Sequence, residues 1–359
     1  MATAIRIEAL PARLGDCLLV ECRRSGEPPW RMLVDGGPSD TWPLLEARLN
    51  RLPKTSRRID VAVVTHVDSD HIGGFIPFVQ SDFAREQVRD FWFNGRQHLL
   101  DEHQRSIAQG ETLGSVLTGT PDAPALPWNK EFAGGAITTT ETGLVEIDVP
   151  NNGPRITVLS PDPKRLGALA KKWSAALKEA RLGTRAVGGP DVPGPIGDLD
   201  TLAAEHSPKD GSVPNGSSIG LLLEHRGRSV VLSGDGFGAV LAAGLEAVAS
   251  ARGLASLPVD VFKLPHHGSR GNVLEAMLAA APAEHYVFSS NGDTFHHPDD
   301  AAVARTVKAA PPGATLWFNY RNARTERWAD AGLRKAHDYR VRFPRSATSG
   351  AVLELTARS

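Results

Sequence analysis

One decapeptide limits what this chain can fold into more tightly than any other stretch: Thr65-His66-Val67-Asp68-Ser69-Asp70-His71-Ile72-Gly73-Gly74. It follows Ile59-Asp60-Val61-Ala62-Val63-Val64, whose apolar residues occupy both faces and predict a central strand rather than an edge. Four potential ligands then fall within six residues, where a buried strand ends and a glycine turn leads into a helix. A helix N-cap would employ a single carboxylate; two carboxylates flanked by two imidazoles need another explanation. Asp70 and His71 are adjacent and cannot easily serve one sheet face, but on a loop both can turn toward one ion. His66 and Asp68 can bind a second ion from the other side of the turn. Two divalent ions about 4 Å apart can clamp the attacking and leaving oxygens of an ester under hydrolysis.

Such a centre needs a bridging carboxylate and further imidazoles from other strand ends. Val230-Val231-Leu232-Ser233-Gly234-Asp235-Gly236 reads as a buried strand ending in an aspartate between glycines, where backbone can approach a metal closely. Asp235 is the expected bridge; the alternative is a turn aspartate capping the next helix. Val261-Phe262-Lys263-Leu264-Pro265-His266-His267-Gly268-Ser269 is another strand, ending in paired histidines. A third, Tyr286-Val287-Phe288-Ser289-Ser290, leads through Asn291-Gly292-Asp293 to Phe295-His296-His297-Pro298. For that last pair the alternative is two surface histidines in a loop.

The remainder of the sequence frames this constellation. Its 359 residues are 41% hydrophobic and 23% charged, as in an ordinary globular protein. With 40 basic against 41 acidic residues there is no global pull toward polyanions, so any polyanion has to be held locally. Charges interrupt the N-terminus early, and no run approaches the roughly 18 apolar residues of a spanning helix, so a cytoplasmic chain without a membrane partner is expected. Cys17 and Cys22, at odd spacing in one strand, should lie on opposite faces and stay reduced. Strands are predicted around 3–9, 17–22 and 31–35, with a helix near 41–52. A helix over 163–181 carries Leu166, Leu169, Trp173 and Leu177 as one buried stripe. The stretch 184–216 is a candidate for loop or disorder, and from 218 onward strands and helices alternate. Two sheets covered by outer helices satisfy this order.

Taken in sequence, THVDSDHIGG, SGDG, KLPHHGS and the late HHP resemble the metallo-β-lactamase fold. More narrowly, they resemble the hydrolase domain attached to ComEC-type DNA-uptake proteins and its stand-alone relatives. Leu14-Gly15-Asp16, Leu33-Val34-Asp35-Gly36-Gly37, Asn215-Gly216-Ser217-Ser218 and Gly350-Ala351-Val352 extend the likeness from near 5 to near 355. The resemblance implies a single α/β domain over 1–359 with insertions near 80–150 and 160–212. Its architecture would be an αββα sandwich, two mixed sheets flanked by helices, with the metal site along their shared edge. The family's His-x-His-x-Asp-His signature maps onto His66, Asp68, Asp70 and His71, with aspartate in place of the second histidine. A further histidine that many members carry before the Gly-Asp strand is absent, and Asn215 or Ser217 stands near its position. Together with Asp235 and His266 these four make the implied ligand set for two divalent ions, Zn²⁺ or Mn²⁺, the oxygen-rich donors also making Mg²⁺ plausible. Of the pair, one histidine ligates and the other faces substrate, and the sequence does not choose between them; His266 is written with the ligand set and His267 with the catalytic set. His297 is expected to contact phosphate or to protonate the leaving group. Asp16 and Asp35 either orient the site loops or are structural.

The implied mechanism is attack by a metal-bound hydroxide, with Asp235 bridging and Asp70 orienting or deprotonating the water, so that Asp70, His267 and His297 are the catalytic set. The resemblance points to a phosphodiester or nucleic-acid substrate. Eight basic residues against three acidic ones between 317 and 345, with Trp317, Phe318, Tyr320 and Trp328 interleaved, could supply a platform for it. Two alternatives stay open: hydrolysis of another ester class (phosphorylcholine ester, lactone or thioester), or a partner-dependent effector of an operon-encoded system that is inactive in isolation.

Overall fold

The aliphatic runs of the sequence pair into two sheets. The computed structural model describes residues 2–99, 112–119, 124–182, 193–346 and 348–358. The first sheet opens with β1 (Thr3–Ala9), β2 (Leu18–Cys22), β3 (Trp30–Val34), β4 (Val61–Val63) and β5 (Phe91–Trp92). The second contains β6 (Glu146–Asp148), β7 (Arg155–Ser160), β8 (Gly220–His225), β9 (Arg228–Leu232), β10 (Val259–Lys263), β11 (Ala283–Phe288), β12 (Ala314–Phe318) and β13 (Tyr339–Arg342). The last strand, β14 (Ala351–Thr356), returns to the first sheet, giving orders β14-β1-β2-β3-β4-β5 and β13-β12-β11-β10-β9-β8-β7-β6. Both sheets are mixed. β3, β4 and β5 run parallel, as do β9 to β13, and the other pairings are antiparallel.

Strand alternation divides the core into three layers. Between the sheets, Ile5, Val20, Met32 and Val63 meet Val158, Leu221, Val230 and Val261. On the outer face of the first sheet, Leu45 and Leu49 of the helix Trp42–Asn50 and Phe75 and Phe78 of the helix Phe75–Gln80 pack with Leu19 and Leu33. On the outer face of the second, Leu241 and Leu245 of the helix Gly238–Ala251 and Val303 and Val307 of the helix Asp300–Ala309 cover Leu222, Val231 and Phe262. The α/β architecture of two mixed sheets flanked by helices is therefore the one present. Cys17 belongs to the first outer layer and Cys22 to the layer between the sheets, and both are buried free thiols. Among the described residues no helix is long and apolar enough to cross a membrane.

Two expectations change. In the stretch 184–216, residues 193–216 carry the helices Leu199–Ala203 and Val213–Gly216, while 183–192 lie outside the described residues. The ordering force comes from elsewhere in the chain: the buried Arg305 guanidinium donates to the carbonyls of Ala203 and Glu205 and to Ser207 Oγ. The stretch 317–345 does not form one platform either. Phe318 and Trp328 are core residues, and Arg321 and Arg327 are paired with Glu326 and Asp300. The helix at Pro163–Leu182 does bury Leu166, Leu169 and Trp173; the Leu177 side chain lies outside those described.

The fold brings the chemistry-bearing turns to one edge. β3, β4, β9, β10 and β11 all deliver their C-terminal ends there, the usual location of sites on parallel strands. Across that edge the Ile219 N–H donates to the Thr65 carbonyl at 3.0 Å, tying the start of β8 to the turn after β4.

Candidate metal centre

The turn after β4 is bound down before it reaches its ligands. Asp35, at the end of β3, accepts from the Thr65 N–H at 2.8 Å and from Thr65 Oγ1 at 2.8 Å, and its Oδ2 also takes His71 Nδ1–H at 2.8 Å. That contact aims His71 Nε2 away from Asp35. Asp68 occupies the N-cap position of the short helix Ser69–Ile72, yet its side chain makes no capping hydrogen bond. Its carboxylate instead lies 3.5 Å from His66 Nε2, a buried nitrogen with no hydrogen-bond partner among the described residues. The His66 and His71 rings are stacked obliquely with centroids 4.2 Å apart. Gly15 permits the close packing here: a Cβ on it would stand 1.7 Å from the Asp70 carbonyl oxygen.

Asp235 is not a helix cap. The N-cap of Gly238–Ala251 is Phe237, and the Asp235 carboxylate turns into the centre. Its Oδ1 lies 3.3 Å from His71 Nε2 and its Oδ2 3.5 Å from His267 Nε2. Asp70 Oδ2 lies 3.4 Å from His267 Nε2 and 3.8 Å from His71 Nε2, and the two imidazole nitrogens are 3.2 Å apart. Donors bonded tetrahedrally to one ion at about 2.0–2.1 Å stand roughly 3.3 Å from each other. The spacings of the two imidazole nitrogens to each other and to the Asp235 and Asp70 oxygens therefore fit the shell of a single small cation. Their chemistry fits as well. With each Nδ1–H turned to the carboxylate behind it, Asp35 or Asp16, the two Nε2 atoms face each other as lone pairs, and a cation between them resolves that conflict.

Of His266 and His267, it is His267 that stands among the clustered donors. Both adopt left-handed backbone conformations, with φ 49° and 55°, and this double turn sends one ring inward and the other to the rim. His267, 1% exposed, stands in the cluster, its Nδ1 3.0 Å from Ser289 Oγ and 3.4 Å from Asp16 Oδ1. His266 lies at the edge, its Nε2 3.8 Å from Asp235 Oδ2 and its Nδ1 facing Asn272 Oδ1 at 3.1 Å and Asp210 Oδ2 at 3.4 Å. The His297 ring is 5.2 Å from that of His266, with Asp299 Oδ1 3.4 Å from its Nδ1.

Two contributors were not assigned to the site from the sequence, and a third, Asp16, is read there only as orienting the site loops or as structural. Asp16 lies with His71, Asp235 and His267 in a fully buried group whose ligand atoms are within 4.8 Å of one another. One of its oxygens faces His267 Nδ1 and the other is paired with Lys263, so it steadies His267 from behind. Lys263, a buried cation whose Nζ also donates to the Gly234 carbonyl at 3.2 Å, was detectable as the one charge in Val261-Phe262-Lys263-Leu264. Asp210, which receives Asn215 Nδ2–H at 2.8 Å and Asn272 Nδ2–H at 3.0 Å, falls in the stretch read as loop and had no local signal.

Burial works against charge on every group in this cluster, and the groups overcome it only for each other. Against that burial, Asp235 and Asp16 hold the His267 pKa up at about 10, and Asp235, Asp35 and Asp70 hold His71 well above the usual imidazole range. Conversely, His267 and His71 hold Asp235 well below the carboxylate range despite its burial. The carboxylates thus demand positive charge at this point, which the imidazoles supply by protonation and a divalent cation supplies directly.

A family model described as the metallo-beta-lactamase superfamily matches residues 30–289. The chain belongs to that superfamily. Its general class is accordingly that of the superfamily's metal-dependent hydrolases, with a buried His/Asp cluster as the candidate centre. Solved structures similar to it include Zn²⁺-bound PqqB from Methylobacterium extorquens, at 14% identity over 94% of this chain and 87% of that one, with a TM-score of 0.40. The diiron β-hydroxylase CmlA from Streptomyces venezuelae matches at 13% identity over 99% of this chain and 55% of that one, TM-score 0.39. The metallo-β-lactamase MIM-1 from Novosphingobium pentaromativorans matches at 12% identity over 85% and 89%, TM-score 0.32. No curated protein matches the chain.

Asp35 provides a first test within this superfamily site. Asp35→Asn should lower metal affinity by about 10–100-fold, the usual effect of losing a carboxylate behind a ligating histidine. Titration with Zn²⁺ against a competing chelator measures it, and far-UV circular dichroism should be unchanged. Wild-type affinity in the variant would show that His71 needs no such support.

Proposed function

We propose that the chain is a metal-dependent phosphodiesterase or nuclease of the ComEC-like kind. The observation that carries this reading is the rim of the centre: His266 and His297 stand side by side there, each with a carboxylate, Asp210 or Asp299, at its Nδ1. Hydrolysis of a phosphodiester breaks one P–O bond and expels an alkoxide that needs a proton, and an imidazole with a carboxylate at Nδ1 would present Nε2 to deliver it. Burial lowers the His297 pKa against the pull of Asp299, and an arriving anionic phosphate would raise it again. Aspartate at position 68, and Asn215 or Ser217 near where many relatives carry histidine, support the subgroup assignment and an oxygen-rich donor set suited to Mn²⁺ as well as Zn²⁺.

In this reading Asp70, His71, His267 and Asp235 hold one cation, and His66 and Asp68 contribute to a second. Bound divalent cations would lower the pKa of a water toward neutrality and offset charge developing on the scissile phosphoryl group. The chain's own residues do the rest. Asp35 and Asp16 stand behind the rings of His71 and His267, Asp70 would accept a proton at its carboxylate, and His297 Nε2 would donate one to the departing oxygen.

The test is cleavage by the purified chain of bis-p-nitrophenyl phosphate, single- and double-stranded DNA and RNA, and nitrophenyl carboxylic esters, with Mn²⁺ or Zn²⁺ and with metal content measured. Phosphodiester turnover that disappears in His71→Ala is the expected result. Full metal occupancy with ester turnover alone would transfer the chain to another hydrolase class. Full occupancy with no turnover on any substrate would favour the partner-dependent effector.

A further inference from the structure

The inner face of the second sheet changes chemistry along its register. Val230, Val261, His285, Thr315 and Arg340 stand side by side across β9 to β13, and Leu232, Lys263, Val287, Trp317 and Arg342 form the next row on the same face. Val230, Val261, Leu232 and Val287 belong to the layer between the sheets. Toward the far ends only Trp317 still packs against that layer, because β13 is the edge of its sheet and β14 the edge of the other. There the face opens into a cleft of about 820 Å³, lined by His285, Trp317, Arg340, Arg342, Arg345 and Glu354, among others. That volume is in the range of small-molecule sites.

The charge of this cleft is not balanced from within. Arg6, Arg321, Arg327 and Arg358 each have carboxylate partners. Arg340, Arg342 and Arg345 have none among the described residues, and the one acid beside them, Glu354, is engaged by Arg6 at 3.5 Å. Trp317 is half-buried, and its ring is anchored by Nε1–H donating to His285 Nδ1 at 3.4 Å. Three uncommitted guanidinium groups around an anchored indole match an anion joined to a planar ring. We propose that this cleft binds an organic phosphate, with the arginines on phosphate oxygens and a planar base against Trp317. Lys263, beside Asp16 in the metal centre, shares a row with Arg342 but stands three strands away, about 14 Å at normal strand spacing. The cleft is thus a second site, and its occupancy does not depend on the hydrolase reading.

A free nucleotide and a single-stranded nucleic acid offer the same chemistry, and one experiment separates them. Isothermal titration of the full chain is performed in EDTA with AMP, ribose 5-phosphate and a short oligothymidylate. AMP is expected to bind more tightly than ribose 5-phosphate, and Trp317→Leu should erase that difference. Combined Arg340→Ala and Arg342→Ala should weaken AMP and the oligonucleotide at least about tenfold. Arg345→Ala, in the exposed segment after β13, should weaken both without burdening the fold. An oligonucleotide that binds far more tightly than AMP, with a steep salt dependence, would identify a strand as the ligand; equal affinities would identify a nucleotide. Absence of binding to the wild-type chain, or unchanged affinity in the arginine variants, would overturn the proposal. Because no metal is present, failure here leaves phosphodiester turnover untouched, and failure of turnover leaves this binding untouched.

Discussion

Asp235→Asn is expected to empty the centre of metal while leaving the fold intact. The Asp235 carboxylate reaches His71 with one oxygen and His267 with the other, so it joins the ligands of the first sheet to those of the second. Asparagine keeps the shape but replaces one anionic oxygen with a donor that cannot bind a cation. Losing a supporting residue around a metal typically costs about 10–100-fold in affinity, and a primary donor should cost more than about a hundredfold. The fold should survive because this side chain caps no helix and its removal as an anion relieves part of the buried charge. Inductively coupled plasma mass spectrometry on the purified variant, paired with turnover of a phosphodiester, measures both effects. Metal content equal to wild type would show that the cluster is not the metal centre.

Lys263→Met should have the largest effect on stability. Lys263 and Asp16 are both almost wholly shielded from solvent and paired with each other, and methionine would leave Asp16 as a buried carboxylate without its cation. Breaking a buried pair in this way costs about 3–5 kcal/mol, read as a fall in the denaturant midpoint at unchanged slope. Lys263→Met combined with Asp16→Asn should recover most of that loss, since no lone charge remains. The double variant should still bind metal about 10–100-fold more weakly, because His267 loses the carboxylate behind its Nδ1. Stability and affinity therefore separate in the double variant. If Lys263→Met unfolds no more easily than wild type, the pair is not holding this region together.

The features that were legible in the sequence are those coded within a few residues. Dense ligands between an apolar strand and a glycine turn mark 66–71, and an aspartate between two glycines marks Asp235. The paired histidines after β10 and β11 were found in the same way. What the sequence hid depends on conformation or on distant partners. The choice between His266 and His267 turns on two successive left-handed residues, for which histidine carries no signal of its own. Asp16 acquires its role by meeting Lys263 and His267 from the far end of the chain, and Asp210 acquires its role by meeting His266. The basic, aromatic stretch was legible only in part, for a related reason. Composition counts Phe318 and Trp328 with Trp317, but strand and helix phase put the first two in the core and only Trp317 beside free arginines.

The way the centre is shared between layers has a mechanical consequence. Asp70 and His71 hang from one sheet, Asp235 and His267 from the other, so a cation gripped by all four acts as a rivet through the sandwich. Resistance of the two halves to parting then rises with the logarithm of free ion concentration above the dissociation constant. A cell that starves the chain of that ion would silence it and, in the same stroke, expose it to proteolysis.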